Sequence, residues 1–167
     1  AFAVCFDMGV SAGGIKDAVE KFTGAGRRFE FLGEYDGFML ADDYAHHPTE
    51  IKATLSAAKE LDYNNVIAVF QPFTFSRTAL LKDDFIKALS IADKVILTPI
   101  MGSREKNTYG IKSEDLAAGL HDVCVVDGFE NIADKIEEIA RPGDLVITMG
   151  GGDIYKAAHI IQRRHTE

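Results

Sequence analysis

Short apolar runs alternate with amphipathic stretches from about residue 48 to the end of the chain. Four runs rich in β-branched and aliphatic residues are predicted to be strands: 66–70, 94–98, 123–126 and 145–149. Around them, apolar residues recur at helical spacing, which predicts helices over 48–61, 80–91, 113–120, 132–140 and 154–163. Strands that are apolar throughout are typical of a parallel sheet covered by helices on both faces.

A hairpin is predicted ahead of this alternating region. Two extended apolar runs, 29–33 and 38–41, flank the turn Tyr35-Asp36-Gly37, and Asp-Gly between apolar runs is a strong hairpin signal. We therefore predict an α/β fold. It is a three-layer α/β/α, Rossmann-like domain whose mostly parallel sheet carries an N-terminal hairpin.

The first 26 residues have a different pattern. Residues 1–8 are typical of the last turns of a helix, and Ile15, Val19 and Phe22 predict a second short helix that ends at glycines 24 and 26. Two short helices have little apolar surface to bury together. We expect residues 1–26 to be the end of a preceding domain and residues 27–167 to be the sheet domain.

Composition narrows the class of protein. The 167 residues, 47% hydrophobic and 26% charged, suit one globular domain with a core of its own. Lys and Arg number 18 against 26 Asp and Glu, and the net charge of −8 argues against a general nucleic-acid-binding protein. No run approaches the ~18 apolar residues of a membrane span, and residues 1–14 lack the basic start of a signal peptide. Two distant cysteines, Cys5 and Cys124, are consistent with a reducing, cytoplasmic setting.

The candidate chemistry lies in loops that follow strands. In an open parallel sheet, ligands bind at the carboxyl ends of the strands, so these loops are expected to line a crevice. They contain Asp43, His46, His47, Arg77 and three consecutive glycines, whose free N–H groups could accept an anion. The loops concerned are 42–47, 71–78, 99–110 and 150–153.

Each candidate also has a plain structural explanation. Asp42-Asp43 could simply end a strand, and His47 could cap the helix that begins at Pro48. Arg77 could bind a carboxylate or a phosphate, or could pair on the surface with Asp83 or Asp84. The pair Arg27-Arg28 could be a helix-end cation, a salt bridge at a domain boundary, or a charge aimed at a phosphate between two domains.

Neither a metal site nor a self-contained catalytic set is expected. His46, His47 and Glu50 have ligand chemistry, but Pro48 disfavours a helical His47, so the histidines precede the helix instead of sharing its face. The sequence has no HExxH, no cysteine pair at ligand spacing, no GxxxxGK[ST] phosphate loop and no GxSxG elbow. The residues alone therefore predict an α/β domain with a polar crevice.

Four motifs, in order, resemble those of the Mur ligase family. Three are continuous: FTGAGRRFE at 22–30, DDYAHHPTE at 42–50 and VFQPFTFSRT at 69–78. In the fourth, at 143–154, Gly-Asp-Leu leads to Gly-Gly-Gly-Asp-Ile. The resemblance runs from about residue 22 to the end, and the order and spacing of four motifs make it specific.

The resemblance implies an ATP-dependent, amide-forming ligase of three domains, of which this chain would be the third. Residues 1–26 would then be the last helices of the central, ATP-binding domain. The implied partners are UDP-N-acetylmuramate, L-alanine and the ligase's own first two domains, with no nucleic acid and no membrane. The amide would form through an acyl phosphate during peptidoglycan-precursor synthesis in the bacterial cytoplasm. ATP and Mg²⁺ are the implied cofactors, with the magnesium ligands in the central domain, and this chain alone would be inactive.

Site residues follow from the resemblance position by position. Arg28 matches an arginine directed at the ATP phosphates, and Asp43 matches an aspartate that holds the nucleotide; these two are the implied catalytic residues. His46 would also bind the nucleotide. His47 would line the substrate cleft, and Arg77 would bind the carboxylate of the amino acid or product.

One position departs from the family pattern. Phe73 stands where the family usually has histidine, which leaves the identity of the amino acid open. Within the family, the alternative is a ligase that recycles murein tripeptide onto the same UDP-sugar, although Tyr44 and Glu50 favour the alanine-adding type. Outside the family, the alternative is a stand-alone nucleotide- or anion-binding module.

Overall fold

The computed structural model describes residues 2–21 and 25–166. The strands are β1 (Glu30–Tyr35), β2 (Phe38–Asp43), β3 (Val66–Phe70), β4 (Lys94–Leu97), β5 (Val123–Val125) and β6 (Leu145–Met149). The helices are α1 (Phe2–Asp7), α2 (Ala12–Glu20), α3 (Pro48–Lys59), α4 (Phe75–Leu80), α5 (Lys82–Leu89), α6 (Ser113–Ala117), α7 (Phe129–Ile139) and α8 (Tyr155–Arg164). Among these described helices, none has both the length and the apolar character needed to cross a membrane.

The strands form a single sheet in the order β1-β2-β6-β3-β4-β5. β1 and β2 pair antiparallel as the predicted hairpin, and all other neighbours are parallel. β6, the last strand along the chain, lies between β2 and β3 and pairs with both of them along its whole length. The predicted α/β architecture with its N-terminal hairpin is confirmed.

Two hydrophobic cores lie on opposite faces of the sheet, because successive side chains of a strand point to opposite sides. One core packs α3, α5 and α6 against the sheet, and the other packs α7 and α8. Each of these helices turns one apolar stripe inward, which gives the three predicted layers. Buried helical residues of the first core include Ile51, Leu55, Phe85, Leu89 and Leu116, and those of the second include Ile132, Ile136, Ala157 and Ile161.

The turn of the β1–β2 hairpin requires its glycine. Asp36 and Gly37 both have positive φ, 48° and 85°, as expected for a tight two-residue hairpin turn. A Cβ on Gly37 would also lie 2.9 Å from the Cβ of Pro142, and the Gly37 carbonyl accepts a 2.7 Å hydrogen bond from the Gly143 N–H. The hairpin is therefore fastened to the segment that leads into β6.

The two N-terminal helices bury little. Within their described residues only Ile15 is buried, while Phe2 and Phe6 stack with centroids 6.1 Å apart and remain more than half exposed. The predicted helical position Phe22 and the predicted glycine stop at 24 lie outside the described residues, as does Ala1. The division of the chain at residues 26 and 27 remains a prediction.

The helix predicted over 80–91 is wrong in its start and its continuity. The structure has α4 over 75–80 and α5 over 82–89, separated at Leu81, whose φ of −112° and ψ of 22° interrupt the helix. α4 begins because the Thr74 hydroxyl accepts a hydrogen bond from the Arg77 N–H at 3.4 Å. This places Arg77 on a helix and not in a loop.

Candidate functional site

The carboxyl ends of β2, β6 and β3 lie side by side, and the loops that leave them meet. We call loops 42–47, 71–74 and 150–153 the central loop edge. The Gly150 N–H donates to the Asp43 carbonyl at 3.3 Å, and the Gln71 N–H donates to the Met149 carbonyl at 3.0 Å. Since the chain passes from β2 to β3 and later returns to place β6 between them, strand order reverses here. Such switch points are where open α/β sheets bind ligands.

The glycine turn at 150–152 is required by close approach of neighbouring side chains. A Cβ on Gly151 would lie 3.2 Å from the Cγ of His46, and one on Gly152 would meet the Gln71 amide oxygen and, at 2.5 Å, the Met101 sulfur. The Gln71 Oε1 also accepts the Asp153 N–H at 2.8 Å. The turn is therefore packed against the loops after β2 and β3, with no space for side chains of its own.

Asp43 is buried, and both of its carboxylate oxygens accept backbone hydrogen bonds. Oδ2 accepts from the Phe29 N–H and Oδ1 from the Ala45 N–H, each at 2.7 Å. Asp43 thus ends β2 and also fixes the segment just before β1. Its predicted contact with a nucleotide remains a prediction, and any such contact would be made by a carboxylate that already has a structural role.

Arg27 and Arg28, which composition and spacing alone did not distinguish, have different surroundings. The Arg27 guanidinium donates to Asp42 Oδ2 at 2.7 Å through Nε, to the Gly150 carbonyl at 2.8 Å through Nη2 and to the Gly152 carbonyl at 3.3 Å through Nη1. Arg28 is exposed and makes no hydrogen bond or ion pair with any residue the structure describes. Arg27 therefore forms a salt bridge inside the predicted sheet domain, a contact that the sequence did not indicate, and Arg28 is the arginine whose side chain is turned to solvent.

The adjacent histidines also separate. The His46 Nδ1 donates to the Tyr44 carbonyl at 3.0 Å, and its ring lies 5.2 Å from the Tyr44 ring and 6.3 Å from the Phe73 ring, beside Gly151. This geometry leaves Nε2 as the ring atom that can accept a hydrogen bond. His46 therefore lies at the central loop edge beside the glycine turn, and its contact with a nucleotide remains a prediction.

His47 instead caps α3. Its Nδ1 accepts from the Thr49 N–H at 3.3 Å, while the Glu50 carboxylate accepts from the N–H groups of His46 at 3.0 Å and His47 at 3.1 Å. The His46 N–H has the largest effect, and together with the His47 N–H it holds the pKa of Glu50 below its usual value, against the opposing effect of burial. The structure therefore agrees with the structural alternative for His47, in which this residue caps the helix that begins at Pro48.

The same His47 lines a cavity of about 590 Å³ that lies between α3 and α5 and away from the glycine turn. Its other polar lining residues include Lys52, Asp84 and Lys87. His46 and His47, though adjacent in sequence, therefore do not line one common site.

Arg77 contains a buried donor without an acceptor. Its Nη1 is enclosed and has no hydrogen-bond partner among residues 2–21 and 25–166, and the guanidinium forms no ion pair with Asp83 or Asp84. A buried N–H group without a partner is destabilising, and the enclosed Nη1 can contact a ligand only if the side chain moves.

A carboxylate stands near the same helix end. The Ser76 hydroxyl and N–H donate to Glu105 at 2.6 and 2.8 Å. The hydrogen bond from the Ser76 hydroxyl has the largest effect in lowering the pKa of Glu105, followed by the bond from the Ser76 N–H, and the positive charge of Arg77 adds to the effect. Glu105 therefore binds loop 99–110 to the start of α4 as an anion.

Phe73, the residue that departs from the family pattern, forms an apolar wall. It pairs in a short parallel bridge with Met101, and the Thr74 N–H donates to the Met101 carbonyl at 3.0 Å. Its ring faces His46 and offers no hydrogen bond to a substrate.

Metal-ligating groups are not clustered in the part of the chain that the structure describes. No three His, Cys, Asp or Glu side chains there are arranged to hold an ion. Glu50, the acidic member of the candidate ligand group His46, His47 and Glu50, is bonded to backbone N–H groups. The residues present therefore do not fit a magnesium or zinc site.

This α/β domain, with an arginine and a glycine turn at the ends of its strands, belongs to a class that is found in known proteins. The family model for the glutamate ligase domain of Mur ligases matches residues 27–152, and this chain belongs to that family.

Two similar relatives are UDP-N-acetylmuramate–L-alanine ligases. That of Caldicellulosiruptor saccharolyticus is 48% identical over 165 residues, which cover 96% of this chain and 36% of the relative. That of Acetivibrio thermocellus is 45% identical over 162 residues, covering 95% and 34%. The chain thus spans about a third of the length of the relatives it matches.

Solved structures agree with the fold. The UDP-N-acetylmuramate–alanine ligase MurC of Thermotoga maritima superposes with a TM-score of 0.75 at 25% identity, over 99% of this chain and 36% of that one. E. coli FolC in complex with ADP superposes with a TM-score of 0.70 at 22% identity, over 95% of this chain and 36% of that one. At that identity FolC shares the fold alone.

Proposed function

We propose that this chain is the C-terminal domain of an ATP-dependent ligase that joins L-alanine to UDP-N-acetylmuramate in the bacterial cytoplasm, during peptidoglycan-precursor synthesis. The names and the 45–48% identity of its relatives support these substrates. Residues 1–26 would be the end of the ATP-binding central domain. The structural observation that carries the proposal is the exposed Arg28, which follows an arginine bonded to the glycine turn at the central loop edge.

The reaction proposed for the whole ligase activates a carboxylate. The muramyl carboxylate attacks the γ-phosphorus of ATP, a consumed substrate, which gives an acyl phosphate and releases ADP. The alanine amine then attacks the acyl carbon, loses a proton and displaces inorganic phosphate to form the amide. Negative charge accumulates on the phosphate oxygens during such a transfer, so a positioned arginine lowers the barrier. Arg28 would have this role. Mg²⁺ would be held by residues outside this chain, because the residues described here offer no suitable cluster.

The remaining site residues would bind and orient. Asp43, which fixes the segment around Arg28, would also contact the nucleotide, and His46 would accept a hydrogen bond through Nε2. Arg77 would bind the α-carboxylate of the amino acid through its guanidinium. The structure offers less support for His47 as a substrate contact, since its ring nitrogen Nδ1 caps α3.

Kinetics of a full-length ligase that carries this chain test the proposal. Arg28→Ala and Asp43→Ala are expected to lower kcat/KM for ATP, and Arg77→Ala to raise the KM for L-alanine most. Arg163→Ala, an exposed arginine on α8, is the matched control and should behave as wild type. Wild-type kcat/KM in Arg28→Ala would contradict the phosphate role, and an Arg77→Ala effect confined to ATP would contradict the carboxylate role.

Substrate competition separates the alternatives. A preference for murein tripeptide over L-alanine would support the recycling ligase, and tight nucleotide binding by the isolated chain in calorimetry would support a stand-alone module. Weak binding by the chain alone is expected, because a domain that completes a site between domains holds only part of it.

A further inference from the structure

The Arg27 side chain connects three separate parts of the fold. Its three nitrogens bond to Asp42 at the end of β2 and to the Gly150 and Gly152 carbonyls after β6. Its guanidinium carbon also lies 5.0 Å from the ring centroid of Tyr44 and 4.7 Å from that of Tyr155, both within cation–π range. One side chain thus joins the segment before β1 to the loop after β2, the glycine turn and the start of α8.

The partner of Arg27 is itself fixed. Asp42 is buried, and its second oxygen, Oδ1, accepts a 2.7 Å hydrogen bond from the Thr148 hydroxyl on β6. The ion pair with Asp42 therefore ties Arg27 to β2 and, through Thr148, to the central strand β6. Removing the Arg27 cation would leave the buried Asp42 carboxylate with one partner fewer.

The backbone of residues 27–29 is held in a conformation it would not adopt alone. Arg27 and Phe29 have positive φ, 58° and 47°, which is unfavourable for residues with a Cβ. Three hydrogen bonds maintain it: Glu30 Oε2 accepts the Arg27 N–H at 2.7 Å, the Arg27 carbonyl accepts the Tyr44 N–H at 2.8 Å, and Asp43 accepts the Phe29 N–H. Arg28 lies between these two fixed residues, and its side chain is the one turned to solvent.

These contacts commit Arg27 to the protein, because three of its five N–H donors are bonded and two aromatic rings lie against its guanidinium. We propose that Arg27 is a positioning residue, which locks residues 27–29 onto the glycine turn so that Arg28 and the central loop edge form one rigid unit. What Arg28 binds rests on the proposed function, whereas the locking by Arg27 does not.

Amide hydrogen exchange measured by NMR on this chain tests the locking. In Arg27→Gln, the Phe29 and Tyr44 N–H groups are expected to lose protection by about tenfold or more, the equivalent of one charge-assisted hydrogen bond. The matched control is Arg141→Gln, which also removes an arginine bonded to two carbonyls, those of Glu138 and Ala140, at the opposite end of β6. It should leave both amides unchanged.

A second variant separates locking from general unfolding. Arg27→Lys keeps a cation for Asp42 but lacks the fork that reaches the glycine carbonyls, so it should fold and still lose protection at Phe29 and Tyr44. The Val95 N–H, which donates to the Asp122 carbonyl near the far edge of the sheet, is the reference amide and should be unaffected. Wild-type protection at Phe29 and Tyr44 in either variant, or an equal loss at Val95 in Arg27→Lys, would overturn the proposal.

Binding of inorganic tripolyphosphate to the same proteins addresses Arg28. Arg28→Gln and Arg27→Gln should each weaken binding by about tenfold, although only Arg28 would touch the anion. If Arg28→Gln binds as wild type while Arg27→Gln still loses local protection, the phosphate role of Arg28 is wrong and the locking by Arg27 stands. If Arg28→Gln weakens binding and Arg27→Gln does not, the locking has no consequence for the site and the positioning role is wrong.

Discussion

Replacing Asp43 by asparagine should destabilise the chain even when no ligand is present. The carboxylate accepts two N–H bonds of 2.7 Å, from Phe29 and Ala45, in a position that is 7% exposed. Bonds of this kind to a charged acceptor contribute about 1.5–3 kcal/mol each. Asparagine has nearly the same shape, but only its oxygen can accept, so its NH₂ group must face one of the two N–H donors.

The expected loss follows from that mismatch. One bond becomes neutral and is weakened, and the other is replaced by a buried donor without an acceptor, so the free energy of unfolding should fall by about 2–4 kcal/mol. For a typical total of about 5–15 kcal/mol this is a large fraction. Urea unfolding at neutral pH measures it, with Asp62→Asn as the control, since the same chemical change there falls on an exposed side chain.

Two results would refute this reasoning. The first is an Asp43→Asn variant within about 0.5 kcal/mol of wild type, which is the size of an ordinary surface effect. The second is an equal loss in Asp62→Asn. If the expected loss is found, the reduced activity of an Asp43 variant in a full-length ligase has to be corrected for misplacement of residues 27–29 before it is assigned to a lost nucleotide contact.

Three further outcomes are expected. Because the folded chain lowers the pKa of Glu50, the stability that this carboxylate confers is complete at neutral pH and is lost as the pH falls below about 4.5, and Glu50→Gln should flatten that acid limb in unfolding curves. In a urea titration, Gly37→Ala should lower the free energy of unfolding by about 2–4 kcal/mol, because Gly37 has a positive φ and its Cβ would contact Pro142. The control Gly110→Ala, at a position with positive φ but open surroundings, should lower it by only about 1 kcal/mol. Arg77→Met removes a buried N–H without a partner, so its Tm in the absence of ligand should equal or exceed that of wild type, and a clear fall in Tm would contradict a net cost of this N–H in the free protein.

Much of the fold could be predicted from the sequence because its signals are local. The buried strands are short apolar runs, and the hairpin turn is marked by Asp36-Gly37, whose positive φ values are the ones that this dipeptide tolerates. α4 gave no such signal. Only Thr78 is buried among the six residues of α4, so no apolar stripe marks this helix. Its N-cap Thr74 has a φ of 65°, which is unusual for threonine and could not be predicted from the residue type.

The candidate site was predictable as a set of loops but not as a set of contacts. Parallel strands bring their carboxyl ends to one edge whatever the side chains do, so the loops around Asp43 and the glycine turn could be grouped in advance. Which of two neighbouring residues turns inward depends on partners far away in sequence. Arg27 binds carbonyls more than 120 residues further along, and Arg28 does not. His46 and His47 separate in the same way, because the first faces Gly151 and the second caps α3.

The central position of β6 has a consequence for the order in which this domain can be completed during synthesis. β2 and β3 have no bond to each other; each pairs with β6, which is made about a hundred and about eighty residues later, respectively. Until β6 emerges from the ribosome, the hairpin and the β3–β4–β5 half are two pieces with open strand edges facing each other, and such edges are sites of mispairing. A nascent chain stopped before Leu145 could therefore not close its sheet, and the arginine and glycine segments can meet only after β6 has been made.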